Sequence, residues 1–216
     1  MLRVVLALAV LLAVVGCQTP GGVAQPKPPL TPQMVALQQG DVAGMQRCAG
    51  SGNVVALLAD EKANNPEEYQ VNLAEWTQWR RQGATDAYVA ILGRTYADCA
   101  TLSGAGTGTP PGELIVGLVV KFKDEAIAAR NFRSGSTLFG FGPKDITFIR
   151  LAGGQITTGT ETGLGPDSSV GSGTVVGARY YFALWQNKSF ESDLLAYNVA
   201  SADADMAVKS MNQRIR

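Results

Sequence analysis

Apolar residues run unbroken from Val4 to Val15. That is the length of a signal-peptide core, and it is too short to cross roughly 30 Å of hydrocarbon, which takes ~20 residues. Further along the spacing becomes helical. Tyr69, Leu73 and Trp76 recur at i, i+4 and i+7, one face of a helix. Asn65-Pro66-Glu67-Glu68 opens that helix with a cap, a first-turn proline and acids that complement its dipole. Arg80 and Arg81 fall in its last turn, and Gly83 ends it. Trp76 shares the apolar face, whereas Trp79 lies to one side and is expected to be partly exposed. Val54–Leu58 is a short apolar run, and Ala87–Leu92 reads as a strand leading to Cys99.

The second half of the chain has a clearer pattern. Leu114–Phe122 (LIVGLVVKF) is rich in β-branched residues and predicts a strand. Asp124–Phe132 predicts a short helix ending before Gly135. Ile146–Leu151 (ITFIRL) predicts another strand. Thr157–Gly173 is rich in Gly, Ser and Thr and reads as a long loop. Arg179–Gln186 and Phe190–Val199 predict two strands of a hairpin turning at Asn187-Lys188. A last helix starts at Ser201 or Asp203 and carries Met206, Val208, Met211 and Ile215. This order suits an α+β domain, an antiparallel sheet with helices packed on one face. Two weakly similar halves, about 34–105 and 112–216, are joined by the loop Gly104–Gly112.

The apolar run ends Val14-Val15-Gly16-Cys17. This resembles the lipobox of bacterial lipoproteins, a likeness that covers residues 1–17. It implies that residues 1–16 are a signal peptide and that Cys17 is lipidated and becomes the first residue of the mature chain. The domain is then extracytoplasmic and held to a bacterial membrane by acyl chains; two or more chains anchor a protein firmly. The alternative is an ordinary secretory leader with a coincidental cysteine. Residues 17–33 hold five of the ten prolines, a composition that favours an extended stalk. Residues 34–216 form the single globular domain.

Loss of residues 1–16 removes one basic residue, Arg3, and leaves 17 basic against 18 acidic side chains. A balance near −1 gives no electrostatic footprint for nucleic acid. With Cys17 lipidated, Cys48 and Cys99 remain. In an oxidising compartment they read as one disulfide, with two buried free thiols as the alternative.

The chain has no histidine. That removes Ser-His-Asp and Cys-His catalysis and His-ligated zinc. No metal site and no cofactor are expected. The adjacent carboxylates Asp60/Glu61, Glu67/Glu68 and Asp124/Glu125 read as surface and helix-start residues. Gly163–Gly177 resembles a phosphate-binding loop but lacks its G-K-[ST] ending. It reads as a flexible loop that can serve in binding, with Asp167 as its acid. Trp76, Trp79 and Arg80, together with Asp167, are the candidate ligand contacts, since tryptophan beside arginine can stack on a sugar or hold an anion.

The layout also resembles the small α+β sensor-like or PsbP-like domains of exported bacterial lipoproteins. That likeness rests on element order and on the segments TGLGPDS and YYFALWQNKS, and it assigns no residue a role. The expected function is a non-catalytic binding or interaction module of the cell envelope, with glycan, lipid or another envelope protein as partner. The alternative is a histidine-free envelope hydrolase using carboxylates or a serine.

Overall fold

The computed structural model describes residues 28–100, 112–140, 142–175 and 177–215. The leader, Cys17 and the loop Gly104–Gly112, save for Gly112 itself, lie outside the described residues. Eight strands form one antiparallel sheet. They are β1 (Gln46–Arg47), β2 (Gly52–Asn53), β3 (Ala84–Gly93), β4 (Leu114–Phe122), β5 (Gln155–Thr158), β6 (Ser168–Val175), β7 (Ala178–Asn187) and β8 (Phe190–Tyr197). The order across the sheet is β1-β3-β4-β8-β7-β6-β5, with β2 also paired to β3. The two halves of the chain share this sheet, because β3 pairs with β4 from Ala84 opposite Phe122 to Gly93 opposite Leu114.

The helices are α1 (Pro32–Val35), α2 (Val54–Asn64), α3 (Pro66–Arg81), α4 (Tyr96–Ala100), α5 (Glu125–Ser134), α6 (Pro143–Leu151) and α7 (Ser201–Arg214). Their ends are built from the cap chemistry of the sequence. Asn65 Oδ1 accepts the Glu68 amide while its Nδ2 donates to Glu68 Oε2 at 2.9 Å. Asp124 caps α5 through the Ile127 amide at 2.8 Å, and Gly135 ends it at φ +70°, a conformation only glycine adopts freely.

The α+β class and the antiparallel sheet are as expected, but the helix layer is split over both faces. On one face Val116, Leu118 and Val120 of β4 pack against Val54, Leu58, Trp76, Trp79 and Ala128 of α2, α3 and α5. On the other, Ile115 and Val119 meet Val35 of α1 and Ala204, Ala207, Val208 and Met211 of α7. A strand covered on both sides has no polar face, which is why LIVGLVVKF is an apolar run rather than an alternation.

Three boundaries differ from the sequence reading. The segment expected as a strand at Ile146–Leu151 is helix α6. Its β-branched residues suggest a strand, but Ile146 and Ile149 stand three apart, one helical face, and both are buried. The segment expected as a loop over Thr157–Gly173 contains the second half of β5, a 3₁₀ turn and most of β6. Gly171 and Gly173 of β6 lie under α6, where a β-carbon at Gly171 would crowd Ile149 at 3.2 Å and touch Ile146 at 3.5 Å. The globular domain also begins before residue 34, the boundary expected from the sequence. Thr31 caps α1, Pro32 is buried, and Leu30 packs on the core.

Three side chains clamp this N-terminal strap. Lys121 Nζ donates to the Leu30 carbonyl at 2.6 Å and Arg47 to the Leu37 carbonyl at 2.7 Å. Arg214 forks onto Asp41 and also donates to the Val35 and Ala36 carbonyls. Cys48 and Cys99 form a disulfide, Cα–Cα 5.3 Å, tying α4 to the segment between β1 and β2.

Candidate functional site

The β7–β8 hairpin turns at Lys188-Ser189, one residue later than the sequence suggested, with Lys188 at φ +49°. Beside it lies a hollow of about 330 Å³ lined by Gly163–Pro166, Gln186–Lys188, Asn212 and Glu125. The two segments singled out in the sequence, TGLGPDS and YYFALWQNKS, therefore meet in space. A second hollow, of about 370 Å³, involves Arg94, Thr95, Ala97, Asp98, Gly112 and Glu113.

Each wall of the first hollow is fixed by hydrogen bonds. Leu164 is buried and anchors the glycine loop, its amide bonded to Thr162 Oγ1 at 3.0 Å. Ser168 Oγ donates to the Gly165 carbonyl at 2.6 Å. Gln186 donates its amide to the Asp167 carbonyl at 2.9 Å and its Nε2 to the Lys188 carbonyl. Asn187 Nδ2 donates to Asn212 Oδ1 at 2.7 Å, joining the hairpin to α7. The lining thus offers amides and glycine backbone. It has one carboxylate, Glu125, and one ammonium, Lys188, and can donate and accept hydrogen bonds on every side.

Beneath this surface lies a buried polar group that the sequence analysis missed. Glu191 of β8 is 3% exposed, directly opposite Gln186 of β7 and Val120 of β4. Asn131 of α5, also buried, donates Nδ2 to Glu191 Oε2 at 2.9 Å. Burial pushes the Glu191 carboxyl up to about 8, against the opposing pull of the Asn131 bond. At neutral pH it is therefore mostly the neutral acid. Asn131 Oδ1 has no donor among the described residues. The signal in the sequence is a pair of acids, Glu191 and Asp193, inside the otherwise strand-like FESDLLAY.

The predicted contact residues do not come together. Trp76 and Trp79 are both buried. Trp79 is 1% exposed, not partly open as expected, because its Nε1 donates to the Thr137 carbonyl at 2.8 Å and its ring packs on Phe122. Arg80 donates to the Thr85 carbonyl and lies over Trp76, 5.9 Å from the ring centre. Asp167 borders the hollow, but its carboxylate is taken by Arg133 at 2.9 Å. It positions the glycine loop against α5. The acids Asp60, Glu61, Asp124, Glu125 and Asp167 are spread over α2, the start of α5 and the loop beside its end. Among the described residues no group of three or more Cys, Asp or Glu could hold a metal ion.

Neither the models of known families nor the curated proteins match this chain. Among solved structures, the extracellular domain of PknH from Mycobacterium tuberculosis is similar at 12% identity and a TM-score of 0.38. The overlap covers 62% of this chain and 66% of that one, less than two thirds of its length.

Proposed function

We propose that this chain is an extracytoplasmic lipoprotein whose domain binds a polar component of the cell envelope in the hollow beside the β7–β8 hairpin, without catalysis. The observation that carries the reading is the convergence of Gly163–Pro166 and Gln186–Lys188 on one amide-rich depression. The Cys48–Cys99 disulfide supports an oxidising compartment. The lipobox-like Val14–Cys17 supports the anchor, and no helix of the described residues is long and apolar enough to cross a membrane.

The tether bears on which ligands are in reach. Lys121 holds Leu30 at the hairpin end of the sheet, where the Phe122 amide meets the Ser189 carbonyl. The chain thus joins the domain at the same end as the hollow. Twelve residues, 18–29, separate Cys17 from Leu30, where the domain takes hold of the chain, a span of at most about 47 Å. The ligand is then a molecule close to the membrane face.

Calorimetric titration of the protein with soluble cell-wall glycan fragments, lipid vesicles and envelope extracts tests this. Binding weakened at least tenfold by Lys188→Ala or Asn212→Ala supports the site. Absence of binding to all three sinks it. Mass spectrometry of the membrane form tests the anchor: an intact Met1, or no acyl mass on Cys17, would remove it.

A further inference from the structure

The two ends of the sheet are finished differently. At the β3 end the outermost backbone is satisfied. β1 and β2 pair with it, the Cys48 amide donates to the Ile91 carbonyl at 2.9 Å, and Ser51 Oγ accepts the Ile91 amide at 2.8 Å. At the other end β5 has no strand on its outer side among the described residues. Gln155-Ile156-Thr157-Thr158 has no charge and no proline, and its pairing with β6 runs without a bulge. Three of its four residues are β-branched. The charges, prolines and bulges by which sheets keep an edge from pairing are missing.

The helix above this edge narrows the choice of partner. Ile149 of α6 lies over Gly154, next to β5, and over Gly171 and Gly173 of β6, so the helix sits above the β5–β6 pair. Phe148 is half-exposed, with its ring edge-on to that of Tyr180 on β7, 5.9 Å between centres. Leu151 is left 84% exposed.

We propose that β5 pairs with β5 of a second copy of this chain, antiparallel, about a two-fold axis perpendicular to the sheet. Such an axis keeps both α6 helices on the same face. With strands about 4.8 Å apart and each helix above its own β5–β6 pair, the helix axes come about 10 Å apart, the distance at which helices pack. One movement therefore joins the backbones and covers α6. A lone extended peptide would take the strand edge and leave Leu151 bare. Directly opposed residues must point to the same face, so the axis passes at Ile156 or at Thr157. Either register sets only Gln, Ile and Thr against one another within the strands, with no like charges opposed. This pairing does not depend on the hollow or on its ligand.

The test uses the full chain in membranes. Ile156→Cys and Thr157→Cys are each oxidised, with Val71→Cys, 59% exposed on α3, as the control. Opposed β-carbons in such a pair lie within disulfide reach. A covalent dimer of twice the chain mass, at least fivefold above the control from one of the two sites, is expected. Adding Thr157→Lys to the Ile156→Cys chain should remove a cross-link formed there. No dimer above control from either site, or a cross-linked product of another mass, overturns the proposal. Sedimentation of the unmutated chain in mild detergent gives a second reading: concentration-dependent dimers that Thr157→Lys abolishes support it, and a monomer at every concentration refutes it.

Discussion

Replacing Glu191 by glutamine should change how stability depends on pH more than it changes the fold. The native carboxyl holds its proton up to about pH 8, against an ordinary value of 4.5. Between those values the folded state binds a proton that the unfolded chain has released. Stability contributed by this group is therefore full below about pH 4.5 and falls as pH rises, with nothing further lost above about 8. At 1.36 kcal/mol per unit, the loss reaches about 3 kcal/mol by pH 7, a sizeable share of the 5–15 kcal/mol typical of a domain. The glutamine carries no titrating group. Its side-chain amide can accept from Asn131 Nδ2 as the carboxyl does, and its own N–H can serve the open Asn131 Oδ1. Urea unfolding, followed by the fluorescence of the three buried tryptophans, would be measured at pH 4, 5.5, 7 and 8.5 for both proteins. The variant should match the parent near pH 4 and exceed it by about 3 kcal/mol at pH 7. Every other carboxylate is common to both proteins and cancels in the difference. Parallel curves across the range would refute the reasoning.

Other perturbations address the clamps and the tight contacts. Arg214→Ala strips the guanidinium from Asp41, whose side chain is 9% exposed and keeps only the Gln38 amide among the described residues, and from the Val35 and Ala36 carbonyls. It should destabilise by about 2–4 kcal/mol and speed hydrogen exchange at residues 32–41 before other regions. Gly154→Ala would set a β-carbon 2.5 Å from Ile149 Cγ2 and 2.6 Å from the Ser172 carbonyl. Thermal unfolding should show a loss of about 1–3 kcal/mol, whereas Gly153→Ala meets no atom within 4 Å and is opposed only by its φ of +78°. The double variant Cys48→Ser, Cys99→Ser opens a closed loop of 51 residues. It should lower unfolding free energy by about 4 kcal/mol on the chain-entropy account, read as a lower urea midpoint.

Much of the fold is legible because its signals are local. Asn65-Pro66-Glu67-Glu68 marks a helix start whatever lies around it. Leu114–Phe122 has the composition of a buried strand, and the structure places β4 on those residues. The Cys48–Cys99 disulfide was legible because setting Cys17 aside as the expected anchor leaves two cysteines. The placement of Trp79 was not legible. Its burial depends on the carbonyl of Thr137, 58 residues away, and no pattern within α3 records that. Glu191 was hidden for the same reason: an acid in a strand reads as a solvent-facing residue until α5 is laid over it.

The largest misreading was at Gly163–Gly177, and its cause is physical. Glycine is depleted in strands because it offers no side chain to pack, so a run such as VGSGTVVG reads as a loop. In β6 that lack is what the architecture needs. Gly171 and Gly173 leave a trough into which Ile146 and Ile149 of α6 descend, and α6 is itself the segment that Ile, Thr and Phe disguised as a strand. The two errors are one error. A helix that looks like a strand and a strand that looks like a loop fit only each other, and neither can be recognised before the pair is assembled. The glycines of Gly163–Pro166 have a different task. Gly163 and Gly165 take φ of +75° and +125° to bend the chain around buried Leu164, and it is this bend, not the β6 stretch, that shapes the wall of the hollow. The binding role proposed above therefore falls to the first four residues of the Gly-rich segment, while the β6 glycines serve packing.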